Sequence, residues 1–244
     1  TRPPPCGQKN KKQKGEIDVK KIISIALALL MVAVMLPVMA MADETTTLQD
    51  QINAANEGDT IKLDKDYTED IVINKKLTID LNNHKLTNKA DDTITVNANG
   101  NLTITGNGTV DNVTHGRAAI FNNGTVTLNG GTYTRSAEVG TGKDPNSDNG
   151  NSWYTICNHG VMTVNAGATV KNKGTFSSVF ENGYYSYTKN AEREGYVEGT
   201  NNAAPKLTIN GGTFEGGKIT IKNDDGGILE INNGTFTNAW NRVV

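Results

Sequence analysis

The stretch "KLTINGGTFEGG", residues 206–217, returns in altered form along the chain. "TVTLNGGTYT" covers 125–134 and "ILEINNGTFTN" covers 228–238, with looser versions "NLTITGNGTV" at 101–110 and "VMTVNAGATV" at 161–170. Each has alternating apolar residues, an Asn/Gly turn and a further apolar residue. Aligned on Leu77, Leu102, Val126, Met162, Leu207 and Leu229, the units lie 25, 24, 36, 45 and 22 residues apart. The short spacings set the unit, and the long ones read as the same unit carrying insertions, at 135–153 and 181–205.

A second pattern precedes the first in each unit. It reads "ITVNANG" at 94–100, "AIFNNG" at 119–124, "TICNHG" at 155–160, "SVFENG" at 178–183 and "TIKNDDGG" at 220–227. Every piece is a short run rich in Thr, Ile and Val, alternating in period two and bounded by Gly or Asn, which is a strand between turns. Helical periodicity is absent from this region, so solenoids of helix pairs are excluded. The leucine-rich and calcium-binding nonapeptide spacings are absent too.

About three short strands per unit make one coil of a parallel β-helix, right-handed by the general preference of parallel connections. Equivalent positions then stack. One expected inward column is Val96, Ile120, Ile156, Val179 and Ile221; a second is Ile104, Leu128, Val164, Ile209 and Ile231; a third is Val110, Tyr133, Val170, Phe214 and Phe236. Thr103, Thr127, Thr163 and Thr208 are expected to form an outward polar ladder, and Phe121, Cys157 and Phe180 an outward apolar stripe. Gly and Asn recur because corners need left-handed backbone.

Only 36% of the chain is hydrophobic, which suits a thin core to which each strand adds one or two side chains. Ahead of the coils, Thr47 and Asp50 read as a helix N-cap pair, with Leu48, Ile52 and Ala55 on one face of a short helix ending near Gly58. Such a helix would cover the first coil, so 43–76 reads as a cap with the first strands and 77–244 as the coils. The run "LQDQINAANEGDTIKLDKDYTEDIVINKKLTIDLNNHKL" followed by "LTINGGTF"-type coils resembles the pectin-lyase-like right-handed β-helix superfamily, in particular its bacterial surface-protein branch. The resemblance spans about residues 45–240. It implies an all-β parallel β-helix with an N-terminal capping helix, and is specific for the fold, not for an activity.

"VKKIISIALALLMVAVMLPVMAMADE" has two lysines, an apolar run and a small-residue A-M-A site at 40–42, so 19–42 reads as a secretory signal peptide; the rival reading is a membrane anchor over Ile22 to Met41, but Pro37 and the small residues before Asp43 favour cleavage, which leaves no membrane span. Residues 1–18 read as a translated leader, with Val19 as a start encoded by GTG behind a ribosome-binding sequence. Without residues 1–42 the chain has 17 basic and 24 acidic residues, a net charge of −7, which argues against nucleic acid as a partner. Cys157 is then the only cysteine, so disulfides are not expected. Export points to a secreted or bacterial cell-surface protein, and further coils, a cap or an attachment segment are expected beyond Val244.

Enzymes of the superfamily cleave acidic polysaccharides with paired aspartates, a His-Gly with a basic partner, or calcium and a basic residue. Asp91-Asp92, His159-Gly160, His115 with Arg117, and Asp224-Asp225 are the residues that could take these roles. None aligns with another at adjacent coils, and each reads more simply as a corner residue, so no catalytic residue, metal or cofactor is expected. The insertions and their borders hold Trp153, Tyr154, Tyr184, Tyr185, Tyr187 and Tyr196, six of the nine Trp and Tyr residues. Rings on loops over a rigid scaffold suit contact with sugar faces, so these six are the candidate ligand-binding residues, with packing onto the wall as the rival reading. The expected function is an adhesin-like or carbohydrate-binding surface module, its partner a polysaccharide or a host or cell-wall glycan. The alternative is a polysaccharide lyase or glycoside hydrolase of the same fold.

Overall fold

The computed structural model describes residues 46–136, 153–172, 178–183, 188–190, 195–197, 204–224, 226–238 and 243–244, with the side chains of 188–190 and 195–197 excepted. Residues 1–45, where the leader and signal peptide are expected, and most of both insertions lie outside the described residues.

Three parallel sheets form the walls of a right-handed β-helix. The first wall has seven strands, from Thr60–Lys62 to Ile228–Ile231; the second has seven, from Tyr67–Thr68 to Thr235–Thr237; the third has six, from Ile71–Ile73 to Ile221–Asn223. The chain visits first, second and third wall in turn, and each strand pairs in parallel with its counterpart one coil on. Short alternating runs can do this because every backbone group finds its partner in the next coil while one face of each strand points inward.

The first two walls follow the expected registers. Ile104, Leu128, Val164, Ile209 and Ile231 stack on one another, as do Val110, Tyr133, Val170, Phe214 and Phe236. Phe214 and Phe236 lie with ring centroids 4.9 Å apart and planes 9° from parallel. Thr78, Thr103, Thr127, Thr163 and Thr208 form the outward ladder, which ends at Glu230.

The third wall departs from expectation in two places. Its inward column is Ile71, Ile94, Ile120, Ile156, Phe180 and Ile221, so Val96 and Val179 do not belong to it. Counting back from the corner glycine fails because Val96 lies four residues before its glycine, Asn122 and Asn158 two, and Asn182 only one. Phe180 therefore points inward, and the outward row reads Thr95, Phe121, Cys157, Glu181 and Lys222.

The same register exposes a feature of the core. Val96 is followed in its column by Asn122, Asn158, Asn182 and Asn223, at the corner into the first wall. Asn122 Nδ2 donates to Asn158 Oδ1 at 2.7 Å, Asn158 Nδ2 to Asn182 Oδ1 at 2.7 Å and Asn182 Nδ2 to Asn223 Oδ1 at 2.6 Å. Each amide also donates to a corner carbonyl, of Val161, Lys206 or Ile228. An amide can donate and accept at once, so a column of them satisfies buried corner groups from coil to coil. Asn129, Asn165, Asn210 and Asn232 form a second, exposed ladder at the corner between the first and second walls.

Glycine serves the two corners for different reasons. Gly131 and Gly212 have φ of 86° and 97°, the left-handed region. At the other corner the need is room: a Cβ on Gly160 would lie 2.2 Å from the Gly124 carbonyl oxygen.

The helix Leu48–Ala54 closes the first coil with Leu48 and Ile52 buried beneath it. Thr47 and Asp50 form the expected capping box. Glu69 accepts from the N–H groups of Leu48 and Gln49, at 2.9 and 3.1 Å, which ties the helix N-terminus to the coil. The Gln49 side chain accepts from Val72 N–H at 2.7 Å and donates to Val72 carbonyl at 3.2 Å, occupying the free edge of the third wall as a neighbouring strand would.

The two ladders make a comparative prediction. Asn158→Ala strands buried partners on both sides and should lower unfolding free energy by at least about 2 kcal/mol, whereas Asn165→Ala, whose partners reach water, should cost less than about 1 kcal/mol. Urea denaturation measures both. Equal losses would show that the buried ladder carries no special weight.

Candidate functional site

The outward row of the third wall brings together residues that the sequence leaves scattered. Cys157 and Glu181 are direct partners on adjacent strands, and Glu181 and Lys222 are partners on the next pair. His159 and Asp224 follow two residues behind Cys157 and Lys222, on the same side. Parallel strands lie about 4.8 Å apart, so these side chains are forced into contact.

Glu181 is the centre of the group and is 1% exposed. His159 Nε2 is 3.3 Å from Glu181 Oε2, and the imidazole meets the Phe121 ring edge-on at 4.9 Å. His159 is thus a corner residue, as expected, but its side chain is only 15% exposed and faces a carboxyl group rather than solvent. Lys222 forms an ion pair with Asp224, and its ammonium donates to the Tyr154 hydroxyl at 3.3 Å. Gly183 permits this arrangement, since a Cβ there would lie 2.7 Å from that of Asp224.

Burial sets the protonation of the group. It pushes the Glu181 carboxyl above the usual carboxylate range, against the opposing pull of His159. It also raises the Tyr154 hydroxyl, and raises the Cys157 thiol well above its ordinary value, with the Glu181 charge adding to the effect. Burial works against the Lys222 ammonium, but Asp224 and Tyr154 outweigh it and hold its pKa above that of a free lysine. Cys, His and Glu are the residue types of a thiol nucleophile with its base and orienting acid. A fully buried thiol held protonated is not such a nucleophile, which must be thiolate.

Trp153 and Tyr154 enter this wall at the border of the first insertion, with ring centroids 5.8 Å apart and planes tilted by 58°. Arg135, at the insertion's other border, is completely buried; it donates to the Trp153 carbonyl at 2.7 Å and to the Thr114 carbonyl at 3.1 Å. Beside it, Ser136 donates to the buried Asp111 carboxylate from its N–H at 2.8 Å and its hydroxyl at 2.5 Å, and Lys85 pairs with the same group at 2.8 Å. Both borders of the insertion are therefore clamped to the wall. Tyr184, Tyr185 and Tyr187 lie outside the described residues. The backbone of Tyr196 pairs with Lys189 in an antiparallel ribbon, and its side chain is outside the description.

The other sequence candidates resolve into corner braces. Arg117 Nε lies 3.0 Å from Asp91 Oδ1, so "THGRA" and Asp91-Asp92 do share a corner in adjacent coils, contrary to expectation. Asp92 accepts from Ala118 N–H at 2.6 Å, and burial raises its carboxyl pKa. Asp224 belongs to the Lys222 pair, and Asp225 is outside the described residues. Among the described residues no three His, Cys, Asp or Glu side chains are set to hold a metal ion, and no helix is long and apolar enough to cross a membrane.

Sequence reasoning missed Glu181, Lys222 and Arg135. The asparagine common to "FNNG", "CNHG" and "FENG" was the available signal: aligned on Asn122, Asn158 and Asn182 rather than on glycine, Glu181 falls beside Cys157. Comparison with known proteins gives no match, whether to a family model, a curated protein or a solved structure.

The Glu181 environment predicts a pH dependence. A carboxyl whose pKa is higher folded than unfolded contributes stability fully present below the unfolded value, near 4.3 for glutamate, and lost as pH rises through the folded value. Glu181→Gln keeps the neutral form at every pH. Its melting temperature should match wild type at about pH 4 and exceed it progressively toward about pH 7. A constant offset across that range would mean that Glu181 does not titrate from a buried state.

Proposed function

We propose that this chain is an exported bacterial cell-surface module of pectin-lyase-like descent that binds carbohydrate, without a catalytic role. The observation that carries the reading is the adjoining pair of aromatic rings, Trp153, whose backbone carbonyl Arg135 holds, and Tyr154, set on the wall beside Lys222 and Asp224. Both rings are partly exposed, so each keeps a face or edge for a ligand while its polar atom stays bonded or wet. Lys222, whose side chain is 36% exposed, and Asp224, at 18%, offer a donor and acceptors to sugar hydroxyls. The signal-like segment at 19–42 supports export, and the acidic remainder of the chain suits a glycan partner better than a nucleic acid.

The alternative is cleavage of such a glycan. Glu181 is favoured for it by its raised pKa, the property of a general acid, and disfavoured by its burial behind Tyr154 and Lys222.

Binding and turnover are separable in one experiment. The chain is incubated with pectic, cell-wall and host-type glycans, with and without calcium, and both retention and new reducing or unsaturated ends are followed. Retention without new ends is expected. Trp153→Ala should weaken it about tenfold, the loss of one ring contact of about 1.4 kcal/mol. Sustained formation of new ends would replace the binding module with the enzyme, and retention unchanged by Trp153→Ala would remove the ring pair from the site.

A further inference from the structure

Among the described residues, the charges around Glu181 balance only while it carries its proton. Cys157 and His159 face it from the preceding strand and its turn, and Lys222 and Asp224 from the following strand and its turn. Tyr154 faces it from the segment that leads into Ile156–Asn158, and the charges of Asp92 and Arg135 reach the group through Cys157. Lys222 and Asp224 already neutralise each other. An ionised Glu181 therefore adds a buried negative charge that His159 matches only while the imidazole is protonated. Once the imidazole is neutral, that anion needs water.

Tyr154 is placed to control that water. It precedes the strand Ile156–Asn158, yet its hydroxyl meets Lys222 on Ile221–Asn223, two strands away. The strand between them is the one that carries Glu181. The Tyr154 and Lys222 side chains together span the strand between them, so their contact lies over the strand that carries Glu181.

We propose that Glu181 is a pH-operated latch on the third wall. With the proton on, Tyr154 stays down against Lys222; with the proton off, Tyr154 and the adjoining Trp153 lift and water reaches the carboxylate. The latch does not depend on carbohydrate binding. Where the ring pair is also the binding surface, its geometry changes with pH.

The test uses the full chain with Cys6→Ser and Trp240→Phe, which leaves Cys157 as the sole thiol and Trp153 as the sole tryptophan. The rate at which neutral iodoacetamide labels Cys157 is followed from about pH 5 to about pH 9 with and without Glu181→Gln, alongside acrylamide quenching of Trp153. Thiolate formation alone raises labelling about tenfold per pH unit, and opening linked to loss of one proton adds up to about tenfold more. Wild type should therefore climb by up to about a hundredfold per unit over part of the range and the variant by about tenfold, with quenching that rises only in wild type. Parallel labelling curves and flat quenching would overturn the latch. If Glu181→Gln does not fold, His159→Gln decides: losing the partner of the ionised form extends the steep region to higher pH, and an unchanged curve overturns the proposal.

Discussion

Everything in this molecule depends on in-register parallel pairing between equivalent strands of successive coils. Because each residue sits directly over its counterpart, the choice at one position constrains the same position one coil later. Apolar residues stack on apolar residues because the alternative places a polar group in a core one or two side chains thick. Where polar groups do enter, they do so as asparagine, whose amide can donate to one neighbour and accept from the other. The column from Asn122 to Asn223 shows the consequence: a single polar residue inside the barrel would be a liability, and four in register satisfy one another.

This constraint also explains how far the sequence could be read. The first wall was legible because each repeat carries the same apolar pair just before an Asn/Gly turn, and the second was legible although that turn varies by one residue, with Leu128 to Tyr133 five positions and Val164 to Val170 six, because each of its strands offers one apolar residue to stack. The third wall was not, because its turns vary in length and glycine is a poor ruler for them. A shift of one residue in a strand exchanges inward for outward. That shift places Phe180 on the outside and hides Glu181, and with it the cluster that Glu181 forms with Cys157, His159 and Lys222. The error was one of register, and the fold class survived it because every wall repeats the same alternation.

The corner braces carry a related lesson. Asp91 and Arg117 are 26 positions apart and look unrelated in sequence, yet one turn of the helix puts them 3.0 Å apart. In a solenoid, a residue's nearest polar partner is more often about one unit away than a few residues away. Lys85 with Asp111 and Asn88 with Thr114 follow the same rule. Constellations of charge should therefore be sought along columns. By that criterion most of the acidic corner residues are structural, since each already answers a neighbour in the adjacent coil.

Glu181 stands apart because burial keeps its carboxyl above the usual carboxylate range although His159 and Lys222 lie beside it. An outward position beside Cys157 could have been filled by a small apolar residue at no electrostatic cost, leaving the inward column of Ile120, Ile156 and Phe180 as it is. The fold asks for nothing charged there. Burying a carboxyl among His159, Lys222, Asp224 and Tyr154 lowers stability at neutral pH, and it does so at the place where Arg135 fixes both borders of the insertion. A scaffold this regular tolerates such a burden because each coil is held by its neighbours on both sides. The regularity of the walls and the irregularity of this patch are thus linked: the repeats hold each coil from both sides, and the outward face of the third wall carries a buried carboxyl that the stacking itself does not require.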